Sequence, residues 1–151
     1  MNALSIFAGV CAFFSVAFVG LWLKRRLLRK AAFYEDYYSY LVYASEKISY
    51  ERMPVTEINR TFLKGKTSEF CRFLYGEKVT PPLSDEEFGA IESYLAGIGK
   101  TDAETQIASL NAKVAEIKCH TESECVKYKK DGALYFKLSV LLGIVIFIIL
   151  I

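Results

Sequence analysis

Residues 101–151 read TDAETQIASLNAKVAEIKCHTESECVKYKKDGALYFKLSVLLGIVIFIILI, and the fold follows from how they are taken. Thr101-Asp102-Ala103-Glu104 has the form of a capping box, with the Thr101 hydroxyl accepting from the Glu104 amide and the Glu104 carboxylate reaching back to the Thr101 amide. Ala103, Ile107, Leu110, Val114 and Ile117 then alternate steps of four and three, which draws a seam along one side of a helix. Lys127, Lys129 and Lys130 form a basic collar, and residues 132–151 carry one charge, Lys137. At about 1.5 Å rise per residue those positions span roughly 30 Å, the thickness of a hydrocarbon core. No proline follows Pro82, so seam and membrane span are expected to run as one rod.

The other end of the chain has the same character. Residues 1–23 contain no charged side chain, enough to cross a bilayer with some tilt. A signal peptide fits poorly, because no positive segment precedes the apolar run, the run is too long, and no A-x-A site follows. The positive charges come afterwards, as Lys24, Arg25, Arg26, Arg29 and Lys30. Lysine and arginine stay on the cytoplasmic side of a span. Both spans therefore place the same side inside: residues 1–23 and 132–151 cross, residues 24–131 form a cytoplasmic domain, and both termini lie outside.

Of the 151 residues, 53% are hydrophobic, and the excess sits in the two spans. Residues 31–126 hold 10 Lys/Arg against 16 Asp/Glu, a net of −6, while the collars bring the whole chain to +2. An acidic domain between basic collars argues against a nucleic-acid partner, which demands a basic patch. The collars suit the headgroups of an anionic lipid bilayer. Cys11 falls in the first span, and Cys71, Cys119 and Cys125 fall in the cytoplasmic part, where thiols stay reduced, so no disulfide framework is expected.

Between the spans the pattern is helical throughout. Phe33, Tyr37, Leu41, Ala44 and Ile48 line one face of a helix over residues 25–51, with Tyr34, Tyr38, Tyr40, Tyr43 and Tyr50 around it. Pro54 ends that helix. A second helix is predicted from Val55 to Leu63, stopped by Gly65, and a third over residues 68–75 that ends at Gly76. After Pro81-Pro82, Ser84-Asp85-Glu86-Glu87 forms another capping box, opening a helix with Phe88, Ile91, Tyr94 and Leu95 on one face, closed by Gly97 and Gly99. The predicted fold is all-α: an antiparallel helical bundle in the cytoplasm, flanked by an N-terminal and a C-terminal transmembrane helix.

Catalytic chemistry is not apparent. His120, the single histidine, stands beside Cys119 and five before Cys125. On a helix those positions point about 100° and 240° apart, so no shared face gathers a metal. Asp85, Glu86 and Glu87 occupy a first helical turn, where negative charge offsets the helix dipole. No catalytic, cofactor or metal residue is assigned. Ser139 and Gly143, four apart in the last span, form a small-x-x-x-small pair that lets membrane helices approach closely, although glycine is also simply common in such helices.

Three pieces of the chain resemble the stage III sporulation protein AB family of endospore-forming bacteria. They are the helix end Ile48-Ser49-Tyr50-Glu51-Arg52-Met53-Pro54-Val55-Thr56-Glu57; the segment 95–106 with Gly99, Asp102 and Gln106; and the tail 137–151 with Leu138, Val140, Leu141 and Gly143. Ser139 departs from the family's usual glycine, and residues 64–82 are shorter than expected, which implies a reduced middle helix. The family is similar to the cytoplasmic domain of the type II secretion and type IV pilus inner-membrane platform protein. The resemblance implies a mother-cell membrane component, facing the forespore, of a channel complex between the two cells. Its implied partners are the other subunits of that complex and the secretion-type cytoplasmic ATPase encoded beside it.

The favoured reading is a non-enzymatic assembly platform that docks the ATPase through an exposed corner in the distal half of the bundle, comprising Asp85, Glu86, Glu87, Gly99, Asp102 and Gln106. The rivals are a membrane-anchored enzyme using a tyrosine-rich cleft and a holin-like pore former. The first lacks a nucleophile–base constellation, and the second does not need so large a cytoplasmic domain. Gene neighbourhood separates the three.

Overall fold

The computed structural model describes residues 3–150, with side chains from Ile6 onward. The elements are α1 (Ala3–Glu46), a π-helical turn (Lys47–Glu51), α2 (Val55–Leu63), α3 (Glu69–Leu74), α4 (Asp85–Gly97), α5 (Ala103–His120), a second π-helical turn (Thr121–Cys125) and α6 (Val126–Leu150). The fold is all-α, with no strand among the described residues. It divides into two compact units: residues up to Arg29 together with those from Val126 onward, and Lys30–Cys125.

In the first unit the N-terminal part of α1 and α6 pack antiparallel: Gly9 faces Phe147, Phe13 faces Gly143, Gly20 faces Ser139, and Gly132 rests on the Lys24 backbone. Small residues at these positions let the helices close up. A Cβ at Gly143 would stand 2.8 Å from the Phe13 ring, so any larger residue there would force the ring to move. The outward surface is apolar, with Phe7, Phe14, Phe18 and Ile149 all exposed. Among the most apolar residues of each long helical stretch, only 11% and 6% are buried. A helix in a soluble core would be covered. These two helices are candidate membrane spans.

The second unit is organised on one face of α1. Phe33, Tyr37, Tyr40, Leu41, Ala44 and Ile48 are all buried, as spacings of three and four along a helix require. The short α3, capped by the Ser68 hydroxyl on the Cys71 amide, inserts Phe70 against this face. Its ring centroid lies 5.4 Å from Phe33, 5.7 Å from Tyr37 and 5.8 Å from Tyr40. Phe62 of α2 packs on Tyr40 at 5.3 Å, and the Tyr40 hydroxyl donates to Asn59 Oδ1 at 2.6 Å. α5 crosses the same face, where the Ser45 hydroxyl donates to Asn111 at 2.6 Å.

The stripe that α5 buries differs from the expected seam. Leu110 and Ile117 are inside, but Ala103 is exposed and Ile107 only half-buried, while Gln106 is 6% exposed. The reason is local, since the Gln106 amide turns inward to serve the preceding loop.

Leu110 is fully buried. Leu110→Ala should destabilise the protein by about 2–5 kcal/mol, the usual cost of a buried leucine cavity, measured by denaturant unfolding of the detergent-solubilised chain. A loss below about half a kilocalorie would remove Leu110 from the core.

Candidate functional site

Two polar corners of the bundle contain the six residues expected to meet a partner, and α4 separates them. One corner is its N-terminus. Ser84 caps it with a complete capping box: the Glu87 amide donates to Ser84 Oγ at 3.2 Å, and the Ser84 amide donates to Glu87 Oε2 at 2.9 Å. Glu87 also accepts from Lys30 Nζ at 2.9 Å on both carboxylate oxygens and from the Tyr34 hydroxyl at 3.2 Å. Partial burial pushes its carboxyl upward, but the Ser84 amide and the Lys30 ammonium outweigh that and hold it down at about 2. Glu87 therefore stitches α4 to α1. Asp85 and Glu86 beside it stay exposed.

The other corner is built where the first π-helical turn and the α4–α5 connection meet. Arg52 takes a left-handed backbone (φ 49°), the only non-glycine residue with positive φ among those described, and lets the chain turn sharply into Pro54. Across from it, α4 ends at Gly97, and Gly99 takes φ 88° with Val55 so close that a Cβ would stand 2.9 Å from its methyl. Glycine is required there both by backbone and by space. The buried Gln106 carbonyl secures the connection, accepting from the Gly99 amide at 2.9 Å and from the Thr101 hydroxyl at 3.1 Å.

Because Thr101 is spent on Gln106, it does not cap α5. The N-cap is Asp102, whose carboxylate accepts from the Thr105 amide at 3.0 Å, and that bond, before any other cause, holds its carboxyl below the usual range. The capping box expected at Thr101 thus does not form: the N-cap moves one residue on, to Asp102, and the Glu104 carboxylate has no part in it. Between these segments lies a groove of about 490 Å³ lined by Ile48, Arg52, Val55, Ile98, Thr101 and Gln106. Its lining mixes apolar and polar side chains, and no side chain caps the N-terminus of α2 beside it.

The structure thus corrects the expected single corner. Asp85, Glu86 and Glu87 lie at the Lys30 end of the bundle, whereas Gly99, Asp102 and Gln106 lie at the Ile48 end. The 13 residues of α4 put about 20 Å between them. Sequence reasoning missed Arg52, because nothing in an Arg-Met-Pro sequence announces a left-handed residue, a place glycine or asparagine usually fills. It also missed Lys30 as the partner of Glu87, having assigned that lysine wholly to the basic collar.

Residues 72–151, which include α4, Gly99, Gln106 and α6, match the family model of stage III sporulation protein AB. The chain belongs to the stage III sporulation protein AB family. No curated protein and no solved structure matches it. Membership in a sporulation family fixes the process, and the two candidate spans indicate a membrane protein.

The remaining sequence candidates in this family member have local roles. Half of the tyrosine stripe is interior, Tyr34, Tyr37 and Tyr40 being buried while Tyr50 is exposed; burial pushes the Tyr40 phenol up to about 12 and Tyr37 higher still, so both stay neutral around pH 7. Near the start of the second π-helical turn, the His120 ring stacks on Tyr34 at 4.4 Å, while Cys119 is exposed and the buried Cys125 thiol lies 3.8 Å from the Ala31 carbonyl.

The Glu87 carboxyl falls from an ordinary 4.5 to about 2 on folding, so the stability it contributes is complete above the higher value and lost as pH drops through the lower. Unfolding midpoints measured from pH 7 downward should decline in that window, and Glu87→Gln should be less stable at pH 7 with a shallower acid decline. Parallel pH profiles for the two proteins would mean that the carboxylate does not tie α4 to α1.

Proposed function

We propose that this protein is a non-enzymatic platform in the channel complex between mother cell and forespore, and that it docks the complex's cytoplasmic ATPase at the Ile48–Gln106 groove. Family membership supports the process. The groove carries the site, because it joins apolar residues (Ile48, Val55, Ile98) with polar ones (Arg52, Thr101, Gln106) at the Ile48 end of the bundle. At the opposite corner Glu87 is already committed to Lys30 and Tyr34. Asp102 and Glu104 are exposed and flank the groove residues Thr101 and Ala103 in the sequence, so they supply negative charge beside it. Rim charges chiefly set association rate and its salt dependence.

The family's similarity to the secretion platform protein agrees with an ATPase as partner. On this reading the bundle supplies position rather than chemistry, holding the ATPase at the groove. Co-purification of the ATPase from sporulating cells tests the assignment. Glu104→Lys should lower recovery, more so at low salt, whereas Glu86→Lys should leave it unchanged. Equal recovery with Glu104→Lys removes the groove from the interface, and a loss confined to Glu86→Lys moves the docking site to the Ser84 end.

A further inference from the structure

The membrane unit carries eight Lys/Arg and one carboxylate, Asp131. In the sequence these cations are two collars about a hundred residues apart. Gly132 brings them to one level, because a Cβ there would sit 3.5 Å from the Lys24 Cα and carbonyl oxygen. Directly below, an open groove of about 720 Å³ runs along α1, lined by Phe14, Ala17, Phe18 and Leu21 with Phe136 of α6 as its other wall. That volume falls within the range of about 300–1,000 Å³ typical of ligand sites. Ser15, also on the groove, has its hydroxyl bonded to the Cys11 carbonyl at 2.8 Å, so the lining is effectively apolar.

The charged end of this groove follows from helix spacing. Phe14, Phe18, Leu21 and Arg25 succeed one another at steps of four, three and four, so the exposed Arg25 crowns the same face. The Lys24 ammonium lies 5.3 Å from the Phe136 ring centroid, on the opposite wall. An apolar trough open to the lipid-facing surface thus ends at two cations. An occupant must offer a hydrocarbon chain joined to an anion at the height of the headgroups.

We propose that this groove binds one anionic phospholipid of the bilayer, its phosphate between Lys24 and Arg25 and an acyl chain along Phe14–Phe18–Leu21. Such a lipid would fix the membrane unit at a set depth and distinguish anionic from zwitterionic membrane. The trough alone would accept any acyl chain, so the discrimination resides in the two cations. The site is independent of the docking groove of the bundle.

The test uses the full chain, purified in detergent and depleted of lipid, then mixed with phosphatidylglycerol, phosphatidylcholine or inorganic phosphate and read by native mass spectrometry. Phosphatidylglycerol should be retained over phosphatidylcholine. Arg25→Gln should reduce phosphatidylglycerol retention about fivefold, as removal of one interfacial cation predicts, and leave phosphatidylcholine unchanged. Ala17→Phe, which fills the trough, should reduce retention of both lipids, with helicity by circular dichroism confirming that each variant is folded. Equal retention of the two lipids by the wild type, or no change in folded Arg25→Gln, would overturn the site. Inorganic phosphate adducts as abundant as the lipid's would show an anion site without a lipid groove.

Discussion

Each helix of the bundle is placed by what it lays against one face of α1, between Lys30 and Ile48. α3 contributes the Phe70 ring to Phe33, Tyr37 and Tyr40, and α2 contributes Phe62 to Tyr40. α4 is tied by Glu87 to Lys30 and Tyr34, and α5 by Asn111 to Ser45 and by His120 to Tyr34. Apolar burial of about 1.5–3 kcal/mol per large side chain supplies the cohesion. The polar ties set the order in which the helices sit. A bundle assembled on a single rail has two distinguishable ends, and that polarity is what separates the candidate docking groove from the acidic turn of α4.

Much of this was written in local sequence signals. The stripe from Phe33 to Ile48 is buried as its spacing requires, α2 begins and ends where Pro54 and Gly65 direct, and the Ser84 capping box forms as its residue types demand. What local signals did not carry was choice between near-equivalent partners. Thr101 and Asp102 can both cap a helix, and the decision falls to a buried amide, Gln106, that claims the Thr101 hydroxyl. The same amide displaces the expected apolar seam at the start of α5. The π-helical turns are likewise silent in the sequence, since one extra residue in a helical turn has no compositional mark.

The candidate site was legible in its residues but not in its shape. Gly99 and Gln106 do border one groove, with Asp102 between its neighbours Thr101 and Ala103, yet the face opposite them comes from Ile48, Arg52 and Val55, some fifty positions earlier. That juxtaposition depends on Gly99 admitting Val55 to van der Waals contact. It is a long-range fact that no window of sequence contains. In the membrane unit the logic is similar: glycines on facing helices specify closeness, and closeness converts two separate basic collars into one.

All of the functional reading requires the bundle to face the cytoplasm, with the ends of the chain on the other side of the membrane. The buried Cys71 cannot report this, whereas Cys119 is exposed on the bundle. The direct measurement is labelling by a membrane-impermeant thiol reagent in intact protoplasts of cells expressing Asn2→Cys. The account predicts modification at position 2 without permeabilisation and at Cys119 only after it. Modification of Cys119 in intact protoplasts, with position 2 protected, would place the bundle outside the cell and contradict the account.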